Sequence, residues 1–149
     1  MSAPYHRLIQ VAECLMGEFE RFARKAHHQR LSLQFDLPDG LPLLLIDVVS
    51  FARAFHLVVD RALAVTQTGG VRVHAKRTAG GIVFRVEDGG RWVAPCDISQ
   101  LFFGPSPETD FVVAAQLAQQ LDGQLTVTSG QEQRGLCVTL FVPLTPILG

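Results

Sequence analysis

The segment LPLLLIDVVSFARAFHLVVDRALAVTQTGGVRV, residues 41–73, decides which fold classes are open to the chain. Its apolar run stops at Asp47, a residue type that caps helix N-termini, and apolar side chains then recur at helical spacing as far as about Ala64. The QTGG that follows ends the helix, because glycine commonly terminates helices, and VRV begins a strand. The segment therefore predicts a capped helix that leads into a β-strand. The side chains predicted to face inward are Phe51, Ala54, Phe55, Val58, Val59 and Ala62.

Strand patterns lie on both sides of this segment. RLSLQFDLP alternates apolar and polar residues, which is typical of a half-buried strand. VRVHAKRT and IVFRVED, joined by AGG, predict one hairpin, and QLTVTS and LCVTLFVPL, joined by GQEQRG, predict a second. The polar alternates of these strands predict a solvent-facing side of the sheet, formed by Arg72, His74, Lys76, Thr126 and Thr128.

Two further helices complete the predicted set. Residues Tyr5–His28 have apolar side chains at helical spacing, and DFVVAAQLAQQL predicts a third helix. Three helices and a mostly antiparallel, mixed sheet predict an α/β (α+β) two-layer sandwich with the helices on one face. At 149 residues the chain fits one domain, residues 1–149, in which the N-terminal helix 5–28 precedes a core of residues 30–144.

Composition excludes several classes of protein. The chain is 48% hydrophobic and 18% charged with a net charge of −1, and no basic stripe stands out, so a nucleic-acid partner is not expected. The longest apolar run, LPLLLIDVV, contains Asp47 and is too short to cross a bilayer. The N-terminus has scattered charges, unlike a signal peptide, and the three cysteines show no C-x-x-C spacing. We therefore expect a cytoplasmic protein without a membrane segment.

The order of these elements resembles a known family. Over about Leu8–Leu144 the chain resembles the ATP-binding domain of sensor histidine kinases, the GHKL or Bergerat fold. Residues 41–73 match, without a gap, the family's L-P-x-x-L-x-D, its helix with N-L-L-x-N-A-L, and the threonine, glycines and strand that follow. VEDGGRWV, residues 86–93, falls on the family's D-x-G-x-G-I.

The resemblance implies specific positions for a nucleotide site. The two family asparagines near Mg²⁺ and the phosphates fall on Leu57 and Arg61, and neither side chain offers the oxygen ligands that Mg²⁺ requires. The aspartate that accepts a hydrogen bond from the adenine amino group is kept as Asp88, and the first glycine is kept as Gly90. The second glycine is replaced by Trp92.

The family's second glycine-rich motif brings a helix N-terminus to the triphosphate, and its glycines align with Glu108 and Asp110. A micromolar nucleotide site is worth about 8 kcal/mol, and a carboxylate about 4 Å from a phosphate charge costs about 1–4 kcal/mol. We therefore expect that neither ATP, ADP nor Mg²⁺ is bound. Arg61 is predicted to pair with Glu108 or Asp110, in preference to a bound phosphate.

Simpler interpretations apply to the same residues. Asp88 is also interpretable as a strand-end acid that bonds the turn amides of Gly89 and Gly90. Arg61 on a helix is usually a solvated or snorkelling cation. Trp92 is expected either to fold over the adenine position or to face solvent as an apolar patch.

Three functions remain open. The expected one is a non-catalytic regulatory or interaction module of two-component signal transduction, a pseudokinase whose partner is a response-regulator receiver domain or a sensor kinase. The first alternative is a divergent ATP-binding kinase domain. The second is a histidine phosphotransfer protein, which needs an exposed histidine on a helical hairpin, and His6, His27 and His28 on one helix are a poor substitute. No catalytic or metal-binding residue is predicted.

The N-terminal helix also raises the question of self-association. Met16, Phe19 and Phe22 widen its apolar stripe, which would allow a homodimer through this helix. Burial of the stripe on the domain's own sheet is the simpler expectation.

Overall fold

The structure, a computed structural model, describes residues 6–103 and 109–144, without the side chains at positions 6, 102, 103, 109 and 110. Seven strands and four helices follow each other along the described chain, with two short 3₁₀ turns. In order they are β1 (His6–Gln10), α1 (Val11–His28), β2 (Ser32–Asp36), β3 (Leu43–Asp47), α2 (Val48–Val65), β4 (Gly70–Arg77), β5 (Gly81–Glu87), a 3₁₀ turn (Pro95–Asp97), α3 (Gln100–Phe103), α4 (Thr109–Gln120), β6 (Gln124–Ser129), a 3₁₀ turn (Gln131–Gln133) and β7 (Leu136–Pro143).

The main sheet has five strands in the order β2-β4-β5-β7-β6. β2 pairs with β4 in parallel and every other neighbouring pair is antiparallel, so both predicted hairpins are confirmed. Alternate residues of β4, β5 and β7 are buried under α1, α2 and α4 in one core, and the polar alternates of β4 and β6 are on the other side of the sheet. The predicted two-layer α/β sandwich with a mostly antiparallel, mixed sheet is therefore confirmed.

Helix α2 forms where the sequence predicts it. Asp47 is its N-cap, and the Asp47 Oδ1 accepts hydrogen bonds from the backbone N–H groups of Val49 and Ser50, each at 3.1 Å. The buried side of the helix carries Phe51, whose ring centroid lies 5.4 Å from that of Phe84 on β5. Aromatic contacts of this kind fix α2 against the middle of the sheet.

The predicted helix over residues 5–28 is wrong at its N-terminal end. His6–Gln10 forms strand β1, which pairs antiparallel with β3, a strand that was not predicted. The strand β1 was missed because its hydrogen-bond partner, β3, lies far along the chain. The strand β3 was missed because LLLI has no alternation of apolar and polar residues. The helix itself begins after Gln10, whose Oε1 accepts from the Glu13 N–H at 3.1 Å.

The aromatic residues of α1 are covered by the domain itself. Phe22 is buried, and the Phe19 ring packs edge-on against Phe35 of β2, with 4.9 Å between the centroids. The expectation that these rings pack on the domain's own sheet is confirmed, whereas Met16 is half exposed. In the described ranges, no helix is both long enough and apolar enough to cross a membrane.

Candidate functional site

The end of β5 and the C-terminal half of α2 bring two of the predicted site residues together. Asp88 is the first residue after β5, and Arg61 is on the side of α2 that faces it. Arg61 Nη1 lies 3.6 Å from Asp88 Oδ2, and the two side chains are 10% and 2% exposed. They form a buried ion pair, so the interpretation of Arg61 as a solvated helix cation is wrong.

The other carboxylate oxygen of Asp88 is engaged by the backbone. Asp88 Oδ1 accepts hydrogen bonds from the N–H of Gly90 at 2.9 Å and of Leu136 at 3.3 Å. The interpretation as a strand-end acid that bonds turn amides is thus correct for Gly90. It is wrong for Gly89, whose N–H donates to Thr66 Oγ1 at 3.0 Å. Both oxygens of the predicted adenine-binding carboxylate therefore have partners within the protein.

Burial raises the pKa of the Asp88 carboxyl above its ordinary value. The Gly90 N–H, the Arg61 guanidinium and the Leu136 N–H oppose this increase without cancelling it. The charged form of Asp88 is thus stabilised by two backbone donors and one cation, at a buried position that disfavours charge.

This direction sets a pH dependence that can be measured. Between the unfolded-state pKa of about 3.9 and the raised folded-state pKa, the folded chain binds the Asp88 proton more tightly than the unfolded chain. The contribution of Asp88 to the free energy of unfolding therefore falls as pH rises through that interval and is constant above it. We expect the free energy of unfolding of the wild type, minus that of Asp88→Asn, to decrease as pH rises from about 4. Urea titrations at a series of pH values measure this difference, and an increase with pH would contradict the assignment.

Phe111 also contacts Arg61, and this contact was not predicted. The guanidinium carbon of Arg61 lies 4.3 Å from the ring centroid of Phe111, in the first turn of α4, which is a cation–π distance. The sequence contains a signal for Phe111, since it is the first apolar residue of the α4 stripe. Glu108 and the side chain of Asp110 lie outside the described residues, so their predicted salt bridge with Arg61 stays a prediction.

Trp92 is attached to the turn between β6 and β7. It is half-buried, and its indole Nε1 donates to the carbonyl oxygen of Gly130 at 3.1 Å. A second hydrogen bond joins the same turn to the segment after β5: the Gly135 N–H donates to the Gly90 carbonyl oxygen at 3.0 Å. The alternative of a solvent-facing apolar patch at Trp92 is therefore wrong.

The remaining predicted positions serve packing. Leu57 is half-buried and packs against the core cluster. A Cβ on Gly90 would come within 2.7 Å of the Val65 carbonyl oxygen, so the end of α2 requires glycine there. In the part of the chain that the structure describes, no group of three His, Cys, Asp or Glu side chains is placed to hold a metal ion.

Comparison with known proteins identifies the fold. No protein-family model matches the chain. The alginate biosynthesis sensor protein KinB of Pseudomonas aeruginosa is 32% identical over 75 residues, which are 50% of this chain and 13% of KinB. Among solved structures, full-length ShkA in complex with AMPPNP superposes with a TM-score of 0.82 at 19% identity, over 98% of this chain and 33% of ShkA.

Histidine kinase ThkA gives the same result in two structures. Its nucleotide-free catalytic domain superposes with a TM-score of 0.82 at 14% identity, over 95% of this chain and 97% of that domain. ThkA in complex with the response regulator protein TrrA superposes with a TM-score of 0.82 at 12% identity, over 97% of this chain and 43% of that one. The chain therefore has the fold of the catalytic, ATP-binding domain of histidine kinases, as its sequence predicted.

Proposed function

We propose that this chain is a non-catalytic regulatory or interaction module of two-component signalling, built on a kinase ATP-binding domain that no longer binds Mg²⁺–ATP. The observation that carries the proposal is the buried contact between Arg61 and Asp88. In the family, the aspartate at this position accepts a hydrogen bond from the adenine amino group. In this chain, Asp88 forms an ion pair with Arg61.

Adenine would compete with Arg61 for Asp88 Oδ2, because Asp88 Oδ1 already accepts from two backbone N–H groups. The amino group of adenine is a neutral donor, whereas Arg61 is a cation that also attracts the carboxylate electrostatically. If Arg61 turned away from Asp88, the carboxylate would stay buried without its cation, at a cost of about 3–5 kcal/mol. That cost would offset much of the binding free energy of a micromolar ligand, which is roughly 8 kcal/mol.

The metal and phosphate positions support the same conclusion. Leu57 presents a hydrocarbon where the family places one asparagine, and Arg61 presents a guanidinium where it places the other. Mg²⁺ is held by oxygen ligands, and without it the triphosphate keeps its full negative charge. ATP, ADP and Mg²⁺ are therefore not expected as cofactors, and no catalytic role is assigned to these residues.

The kind of partner follows from the relatives. ThkA, which has this fold, forms a complex with a response regulator protein. A receiver domain of that class, or a sensor kinase, is the partner that we propose for this chain. A phosphotransfer role is less well supported, because α1, which carries His27 and His28, leads into β2 of the sandwich and not into a second helix.

Isothermal titration calorimetry with ATP and ADP, each with and without Mg²⁺, tests the proposal. We expect no binding heat at nucleotide concentrations up to about 1 mM. ShkA is a suitable positive control in the same buffers, since its structure holds AMPPNP. A micromolar dissociation constant for this chain would reject the proposal and support a divergent ATP-binding kinase domain.

A further inference from the structure

The eleven residues that follow Gly90 are attached to the domain by few contacts. None of the side chains at positions 91–101 is buried, whereas strand β5 before them and helix α4 after them each bury several. The segment contains no strand, only the 3₁₀ turn Pro95–Asp97 and the start of α3. Segments with so little burial open at a lower free energy than the core of a folded protein. We call residues 91–101 the strap.

Two side-chain hydrogen bonds connect the strap to the end of β6. Trp92 Nε1 donates to the carbonyl oxygen of Gly130 at 3.1 Å, and the hydroxyl of Ser129 donates to the carbonyl oxygen of Val93. Within the part of the chain that the structure describes, no other hydrogen bond leads from the strap to the sheet, to α1, to α2 or to α4. The polar attachment of the strap therefore depends on two adjacent residues at one strand end.

Apolar contacts complete the attachment. Val93, Ile98 and Leu101 pack against the buried core cluster, but each of them stays partly exposed. The free energy that burial contributes scales with the apolar area removed from water, so partial burial stabilises the closed strap less than full burial would. The two hydrogen bonds are thus a large part of what keeps the strap closed.

We propose that the strap is a latched element, which Trp92 and Ser129 hold closed. When the two bonds break, the strap leaves the end of β6 while the sheet and the three long helices stay folded. The closed state requires no ligand, because the donor and the acceptor of each bond belong to this chain. The open state exposes the apolar side chains of the strap, and a molecule that binds only this state would shift the population toward it. The inference is independent of whether the chain binds nucleotide.

Urea titrations followed by two probes test the latch. Trp92 is the single tryptophan of the chain, so its fluorescence reports on the strap, whereas circular dichroism reports on the helices. We expect the fluorescence transition at a lower urea concentration than the circular dichroism transition, and with a smaller dependence on urea, because opening exposes less surface than unfolding. Two coincident transitions would overturn the proposal, since the strap would then unfold only with the whole domain.

Ser129→Ala removes one of the two latch bonds and should raise the equilibrium constant for opening about fivefold. The fluorescence midpoint should fall, and the circular dichroism midpoint should stay unchanged, because the latch is already open when the helices unfold. Ser99→Ala is the matched control and should shift neither midpoint, since Ser99 is an exposed strap residue whose side chain makes no hydrogen bond in the described chain. A fluorescence midpoint that Ser129→Ala leaves in place would contradict the latch.

Limited proteolysis gives a readout without denaturant. Trypsin cleaves after Arg91, whose two neighbours in the closed strap are hydrogen-bonded to the turn between β6 and β7. Cleavage of a transiently open segment follows its population. Cleavage after Arg91 should therefore be faster than after Arg72, which is paired on both sides within β4. It should also be about fivefold faster in Ser129→Ala than in the wild type or the control. Equal rates at Arg91 in all three proteins would reject the proposal.

Discussion

Asp88→Ala is expected to lower the free energy of unfolding by about 3–5 kcal/mol. The substitution leaves the Arg61 cation in a site where only 10% of its side chain is exposed, without the carboxylate 3.6 Å away. It also removes the acceptor of the Gly90 and Leu136 N–H groups. Unsatisfied buried donors add to the cost of the lost ion pair. Urea denaturation at pH 7 measures the difference.

Two further variants separate the charge from the hydrogen bonds. Asp88→Asn keeps an oxygen for the two backbone donors and should cost less than Asp88→Ala. Arg61→Met removes the cation but keeps much of the apolar stem. If the pair is coupled, Asp88→Asn and Arg61→Met together should cost less than the sum of the two, by about 1–3 kcal/mol. A loss below about 1 kcal/mol for Asp88→Ala would mean that Arg61 does not depend on this carboxylate.

The main sheet was predictable because its signals are local. Each hairpin has apolar alternation on both strands and a turn rich in glycine, so the pairing partner is next in the sequence. Asp47 likewise marked the start of α2 through the preference of acids for capping. In each case one short window contained the pattern and its boundary.

The small sheet was not predictable on the same terms. β1 reads as a continuation of α1, because HRLIQ and the helix that follows share one apolar period. Only its pairing with Leu43–Asp47 distinguishes it, and that partner lies beyond a helix and another strand. A continuous apolar run such as LLLI does not by itself distinguish a strand from a buried helical segment.

The candidate site shows the same division. Asp88, Arg61 and Trp92 were identified as site positions from the family resemblance, but of their contacts only the hydrogen bond from the Gly90 N–H to Asp88 was predicted. The Arg61 guanidinium reaches Asp88 and Phe111, and the Trp92 indole reaches Gly130, from separate elements. Such contacts depend on how α2, α4 and the β6–β7 turn are placed around the end of β5, which no single window encodes.

These contacts also make the turn between β6 and β7 part of the site. Three residues of the loop that follows β5 are hydrogen-bonded to the β6–β7 connection. Asp88 accepts from the Leu136 N–H and the Gly90 carbonyl accepts from the Gly135 N–H, both at the end of that connection, and the Trp92 indole donates to Gly130 at its start. A change in this turn is therefore expected to disturb the Arg61–Asp88 pair without touching either side chain.

Gly135→Ala is the most direct change of this kind, and we expect it to lower the free energy of unfolding by about 2–4 kcal/mol. Gly135 has a φ of +57°, a left-handed conformation that non-glycine residues seldom adopt. A Cβ at this position would overlap the backbone oxygen and the Oδ1 atom of Asp88. The Oδ1 atom accepts from two backbone N–H groups, so it cannot move away without loss of a hydrogen bond. Urea denaturation at pH 7 gives the change.

Gly17→Ala is the matched control, because the same methyl group is added where nothing restricts it. Gly17 lies inside α1 at an exposed position, and a Cβ there would meet no heavy atom within 4 Å. Alanine loses less backbone entropy than glycine when a helix forms, so this variant should be more stable than the wild type by about 0.5–1 kcal/mol. Opposite signs for the two substitutions would locate the cost of Gly135→Ala in the left-handed backbone of Gly135 and its contact with Asp88. If both variants were equally stable, the turn would have to accommodate a side chain next to Asp88, and the close packing of the turn on this carboxylate would be wrong.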